Sequence, residues 1–176
     1  MTFRTLIGAS AITAGLFGLM ATASGHALMM NKDAKPGAWH FVEIGIPHGC
    51  VGTPTTAIKI KVPEGVALVR PQVKPGWKLS MTMRKIDKPI LAEGVTITDM
   101  ADEVTWSGGN LADLEFDRFA MLVKLPNDPG KTLYFKTIQQ CEKGEHRWIE
   151  IPEGGKKWGE YKEPAPFVQI SEAAKP

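Results

Sequence analysis

Cysteine is almost missing from this chain: its 176 residues include two, Cys50 and Cys141. That excludes a dense disulfide scaffold and a zinc finger, both of which need several closely spaced cysteines. Histidine is nearly as scarce, at four residues, and no pair has the spacing of a zinc-binding helix. Charge of a single sign is missing as well. With 21 Lys and Arg against 19 Asp and Glu, interspersed and without a sustained basic run, nothing points to nucleic acid or an anionic membrane surface. Two nucleophile signatures are also absent: there is no Gly-x-Ser-x-Gly elbow and no glycine loop that would cradle phosphate. We therefore expect a protein that is not an enzyme. Beyond the first 25 residues no apolar run approaches the roughly 20 residues that a membrane helix requires, so no membrane anchor is expected in the mature chain.

The amino-terminal segment is what organises the rest. Arg4 precedes an apolar run from Leu6 to Met20, and Ala21-Thr22-Ala23-Ser24-Gly25 supplies the small residues a signal peptidase accepts. Residues 1–25 thus read as a cleaved secretory signal, and residues 26–176 as a single domain of the mature protein, periplasmic or secreted. Cleavage after Gly25, rather than after Ala23 or Ala27, makes His26 the first residue. Its α-amino nitrogen and its ring Nδ1 can then close a six-membered chelate around one cation. Both groups hold their protons weakly near neutral pH, and tetragonal sites of nitrogen and oxygen donors favour Cu(II).

Export also bears on the cysteines. Cys50 and Cys141 lie 91 positions apart, too far for a local pair of thiolate ligands, so a disulfide is the expectation in an oxidising compartment.

Along the chain the dominant period is two. Val42, Ile44 and Ile46 alternate with Phe41 and Glu43; Ile58, Ile60 and Val62 alternate with Lys59 and Lys61; Phe119, Met121, Val123 and Leu125 repeat the pattern. Trp77, Leu79, Met81 and Met83 alternate with Lys78, Ser80, Thr82 and Arg84, which predicts that both methionines are core rather than metal ligands. Asn31 to Gly37 reads as a turn, and Val104-Thr105-Trp106 as a strand ending at Ser107-Gly108-Gly109. Arg147 to Ile151 reads as a short strand with Trp148 and Glu150 on one face. Some nine short strands, punctuated by 18 Gly and 13 Pro, predict an all-β chain: an immunoglobulin-like antiparallel β-sandwich.

An ordered set of motifs carries a resemblance over nearly the whole mature chain. Ile46-Pro47-His48-Gly49-Cys50, Thr55-Thr56, Val62-Pro63-Glu64-Gly65-Val66, Lys74-Pro75-Gly76-Trp77, Thr105-Trp106, Leu133-Tyr134-Phe135 and Pro164-Ala165-Pro166 together resemble the YcnI-like family of exported copper-binding proteins. The resemblance implies a β-sandwich whose terminal histidine binds Cu(II) through amine and ring, with a glutamate and a nearby tryptophan. The histidine falls on His26 and the tryptophan on Trp148, which would flank the metal. The glutamate has no counterpart in the loop His48-Gly49-Cys50-Val51-Gly52-Thr53, so His48 and Glu150 are the candidates for a third ligand. The expected partners are the copper ion and other copper-trafficking proteins. Two other functions compete with a copper carrier or buffer. One is a histidine-brace oxidative enzyme, which needs His48 or His146 beside His26; the other is a metal-free adhesion or assembly module.

Overall fold

The structure is a computed structural model that describes residues 25–172; the signal segment ahead of Gly25 lies outside the described residues. It is built from strands: β1 (Leu28–Met29), β2 (Asp33–Ala34), β3 (Trp39–Ile46), β4 (Thr55–Lys61), β5 (Val69–Pro71), β6 (Lys78–Ala92), β7 (Val95–Leu111), β8 (Asp117–Lys124), β9 (Thr132–Tyr134), β10 (Thr137–Cys141), β11 (Glu145–Trp148) and β12 (Phe167–Ile170), with a single 3-10 turn at Trp158–Glu160. They form an antiparallel sheet β1-β3-β8-β5, a second antiparallel sheet β11-β10-β4-β7-β6, and a small third sheet β2-β12-β9 in which β2 and β12 run parallel.

The period-two pattern explains the core. Val42, Ile44 and Ile46 of β3, Ile58 and Ile60 of β4, and Phe119, Met121 and Val123 of β8 are all buried, and they join Val104, Trp106 and Trp148 in one apolar cluster. Burial of this kind stabilises by about 1.5–3 kcal/mol per large side chain. Of the intervening residues, Phe41 of β3 is 60% exposed, while Ala120 of β8 is buried in its turn.

Three local expectations are corrected. Met81 and Met83 lie opposite the buried Val104 and Ala101, yet they are 41% and 53% exposed. Alternation tells which side of a sheet a residue takes; it does not tell whether the other layer reaches the edge strand, and β6 is that edge. The chain does not turn at Gly108-Gly109 either, because β7 continues to Leu111. Gly108 takes a positive φ of 75° where the pairing with β4 slips between Thr55 and Ala57, as at a β-bulge. Its neighbour Gly109 leaves room for Trp77, whose ring would lie 2.0 Å from an added Cβ. Gly109→Ala is accordingly expected to lower stability by about 1–3 kcal/mol, read as a lower urea midpoint at unchanged slope. Finally, the turn expected at Asn31 to Gly37 contains β2, which pairs with β12 through Asp33 and Ala34.

Candidate metal centre

The centre is assembled from the segment Gly25-His26, the loop after β3, and the β10–β11 hairpin. The loop runs Pro47-His48-Gly49-Cys50, and the Cys50–Cys141 disulfide, with Cα atoms 5.8 Å apart, fastens it to the end of β10. The Gly49 amide donates to the carbonyl of Asp113 at 3.1 Å, and a Cβ at Gly49 would lie 2.0 Å from the Thr53 carbonyl oxygen. Only glycine fits there.

Gln139 holds the loop from inside. Fully buried on β10, it donates from Nε2 to the His48 carbonyl at 2.6 Å and to Thr55 Oγ1 at 2.8 Å, while its Oε1 accepts from Trp148 Nε1 at 3.0 Å. Every polar atom of the amide is used, as burial demands. Trp148 therefore contributes a wall rather than a ligand: it is buried, and its only N–H is given to Gln139.

Around that wall stand three imidazoles. The His26 ring lies 6.3 Å from Trp148 and 5.1 Å from Trp158, edge-on to both. The His48 ring lies 6.4 Å from Trp148, and the His146 ring is stacked on it at 4.9 Å. His48 and His146 are 5.3 Å apart, centroid to centroid.

The contacts of His48 are specific. Its Nδ1 lies 2.6 Å from the Gly49 carbonyl oxygen, and its Nε2 lies 2.9 Å from the carbonyl oxygen of Gly25. A neutral imidazole has one N–H to donate. In the uncleaved chain that proton can go to either carbonyl; were the Gly25 carbonyl removed, it would stay on Nδ1 for Gly49 and leave the Nε2 lone pair facing the His26 nitrogen. Since a carbonyl oxygen and the nitrogen of the same peptide are about 2.2 Å apart, the His26 nitrogen lies within about 5 Å of His48 Nε2.

Glu150 stands apart from this group. β11 ends at Trp148, so the expected shared face stops there; Glu150 is exposed and forms an isolated bridge to Pro164. Its Oε2 accepts from the backbone amide of Glu163 at 2.5 Å. Glu163 is the carboxylate that reaches a histidine, accepting from His146 Nδ1 at 2.8 Å and from the Arg147 amide at 3.0 Å. Burial pushes its carboxyl group up, but the His146 bond and the Arg147 N–H outweigh this and hold it below the usual value. Such a group stabilises the fold above its unfolded value and loses that contribution as pH falls through the lower folded one. Glu163→Gln should therefore flatten the fall in melting temperature between about pH 5 and pH 3. His40 is engaged elsewhere, at 3.0 Å from the Asn31 carbonyl.

Gln139, Trp158 and Glu163 were not singled out by sequence reasoning. Gln139 did leave a signal, since it occupies an inward position between Thr137 and Cys141 where an apolar residue is expected. Trp158 and Glu163 lie in a charged tail without periodicity, and nothing local marks them. Among the described residues no three side chains of His, Cys, Asp or Glu converge as a ready-made cage.

Comparison with known proteins bears on the fold and the family. A solved structure, an uncharacterized protein from Nocardia farcinica described as having an immunoglobulin-like fold, is similar with a TM-score of 0.63 and 22% identity, covering 83% of this chain and 98% of that one. At that identity the likeness shows the fold alone, and it agrees with the expected immunoglobulin-like sandwich. No curated protein matches the chain. The model of one family, described as a domain of unknown function (DUF1775), matches from His26 to residue 170, and the chain is a member of that family.

Proposed function

We propose that this is an exported Cu(II)-binding protein, a carrier or buffer in copper homeostasis, whose metal is held by the amine and ring of a terminal His26. The observation that carries this reading is the contact of His48 Nε2 with the Gly25 carbonyl at 2.9 Å. Cleavage after Gly25 removes that carbonyl, creates an amine in its place, and leaves a third nitrogen lone pair facing it. Two metal–nitrogen bonds span about 4 Å, so a shift of about 1 Å brings both nitrogens to one ion. The resemblance to YcnI-like proteins supports the same donor pair on His26, and His48 takes the place of the glutamate that this loop lacks. Trp148 and Trp158 screen the site from water on two sides. The disulfide suits a periplasmic or secreted location, and no helix among the described residues is long and apolar enough to cross a membrane. Copper would pass to or from other copper-trafficking proteins.

Native mass spectrometry of the exported protein tests this, after copper exposure and removal of loosely held ions. A chain starting at His26, with the mass of the disulfide form and one copper, is the expected result. A different start, or a His26 start that keeps no copper, overturns it and favours an adhesion or assembly module. The nearness of His48 Nε2 to the peptide ahead of His26 also favours a histidine-brace oxidase as the second reading. That enzyme requires peroxide-dependent oxidation of a polysaccharide that is lost in His48→Ala.

A further inference from the structure

We infer that His146 is a further nitrogen ligand of the same ion, presented by Glu163; the inference rests on the copper-binding reading above. Three observations converge on it. First, Glu163 accepts from Nδ1 of His146 at 2.8 Å, which places the ring proton on Nδ1 and the lone pair on Nε2. A histidine held in this way by a carboxylate is the usual arrangement at metal centres, where the outer carboxylate fixes the tautomer and raises the basicity of the ligating nitrogen. Second, the ring separation comes within a few tenths of an ångström of what a shared ion requires. With metal–nitrogen bonds of about 2 Å, two imidazoles that meet one ion at angles between a right angle and the tetrahedral angle have centroids about 4.5–5.1 Å apart. His48 and His146 stand at 5.3 Å with their planes at 80°.

Third, the ring is already oriented. Stacking on Trp148 at 4.9 Å and 29° fixes the plane of His146, and Trp148 is itself fixed by Gln139. His146 also lies opposite Gln139 in the β10–β11 register, so it shares the side of the hairpin that faces His48. Glu163 is fixed in turn by the Arg147 amide, and its backbone by Glu150. The amine and ring of His26, His48 and His146 together make four nitrogen donors, the number a tetragonal Cu(II) site takes in its plane. Packing alone would account for the stacked ring. It gives no reason for a carboxylate on the far nitrogen.

The test uses the cleaved, disulfide-bonded protein loaded with one equivalent of Cu(II). Pulsed electron paramagnetic resonance of the wild type counts the coordinated imidazoles through their remote nitrogens, and needs no variant. We expect three imidazoles, falling to two in His146→Gln. Competition with a chromogenic chelator should show affinity lower by at least tenfold in His146→Gln and by roughly 10–100-fold in Glu163→Gln. The melting temperature of each metal-free variant verifies that it is folded. A wild type that binds copper with two imidazoles, or a folded His146→Gln within twofold of wild-type affinity, overturns the inference and leaves the His26 chelate standing. A wild type that binds no copper overturns the chelate first.

Discussion

A chain whose His26 amine is acetylated is expected to bind Cu(II) roughly a hundredfold or more weakly than one that begins with that amine free. The amine and ring of one residue act as two joined ligands, and joining ligands raises affinity by about 10²–10⁴ without any new contact. In the acetylated chain that nitrogen is an amide with no lone pair to give. The loss is compounded at His48, whose Nε2 then meets an acyl carbonyl, as it meets that of Gly25 at 2.9 Å in the uncleaved chain, instead of an ion. Two forms that both start at His26, one with the amine free and one with it acetylated, differ by the acetyl group alone. Their affinities can be compared directly by chelator competition. Equal affinities would rule out the terminal amine as a donor.

The second large effect concerns the disulfide. Replacing Cys50 and Cys141 together by alanine should lower stability by about 4–5 kcal/mol, because the bond closes a loop of 91 residues that the unfolded chain otherwise explores freely. That is a large fraction of the roughly 5–15 kcal/mol by which domains of this kind are stable, so the expected readout is a marked fall in urea midpoint. The wild type in a strong reductant should fall by the same amount. A loss under about 1 kcal/mol would mean that the two ends of the loop are already held together in the unfolded chain. Copper affinity should fall with it, because Cys50 is two residues from His48 and anchors that loop to the strand bearing Gln139.

Much of the fold was legible in the sequence because a half-buried strand writes its own period. β3, β4 and β8 fall within a residue or two of where the alternation places them, and the cysteine pairing followed from spacing and compartment. What could not be read was anything decided between segments. Nothing local says that the long β6–β7 hairpin extends past the opposite layer, leaving Met81 and Met83 exposed, or that Trp77 needs Gly109 bare. The candidate centre divides in the same way. His26 and His48 carry their signal in a cleavage pattern and in a loop next to a cysteine. The role of Gln139 arises only when β10, β11 and the His48 loop meet, and Glu163 reaches His146 from a tail with no pattern of its own. Glu150 was drawn in by a face it would share with Trp148 if β11 had continued; the strand ends first.

The residue behind His26 has a bearing on how long the terminus lasts. Ala27 is fully buried and Met29 is 3% exposed, so the chain is packed into the core one residue after His26, the proposed metal ligand. Leu28 and Met29 are paired with Gly45 and Ile44 of β3. An aminopeptidase must draw the first few residues into its own cleft in extended form, and here the second of them is not available to be drawn. To cut after His26 it must first peel β1 from the sheet. On the proposed cleavage, a terminal His26 would be as durable as the strand that follows it.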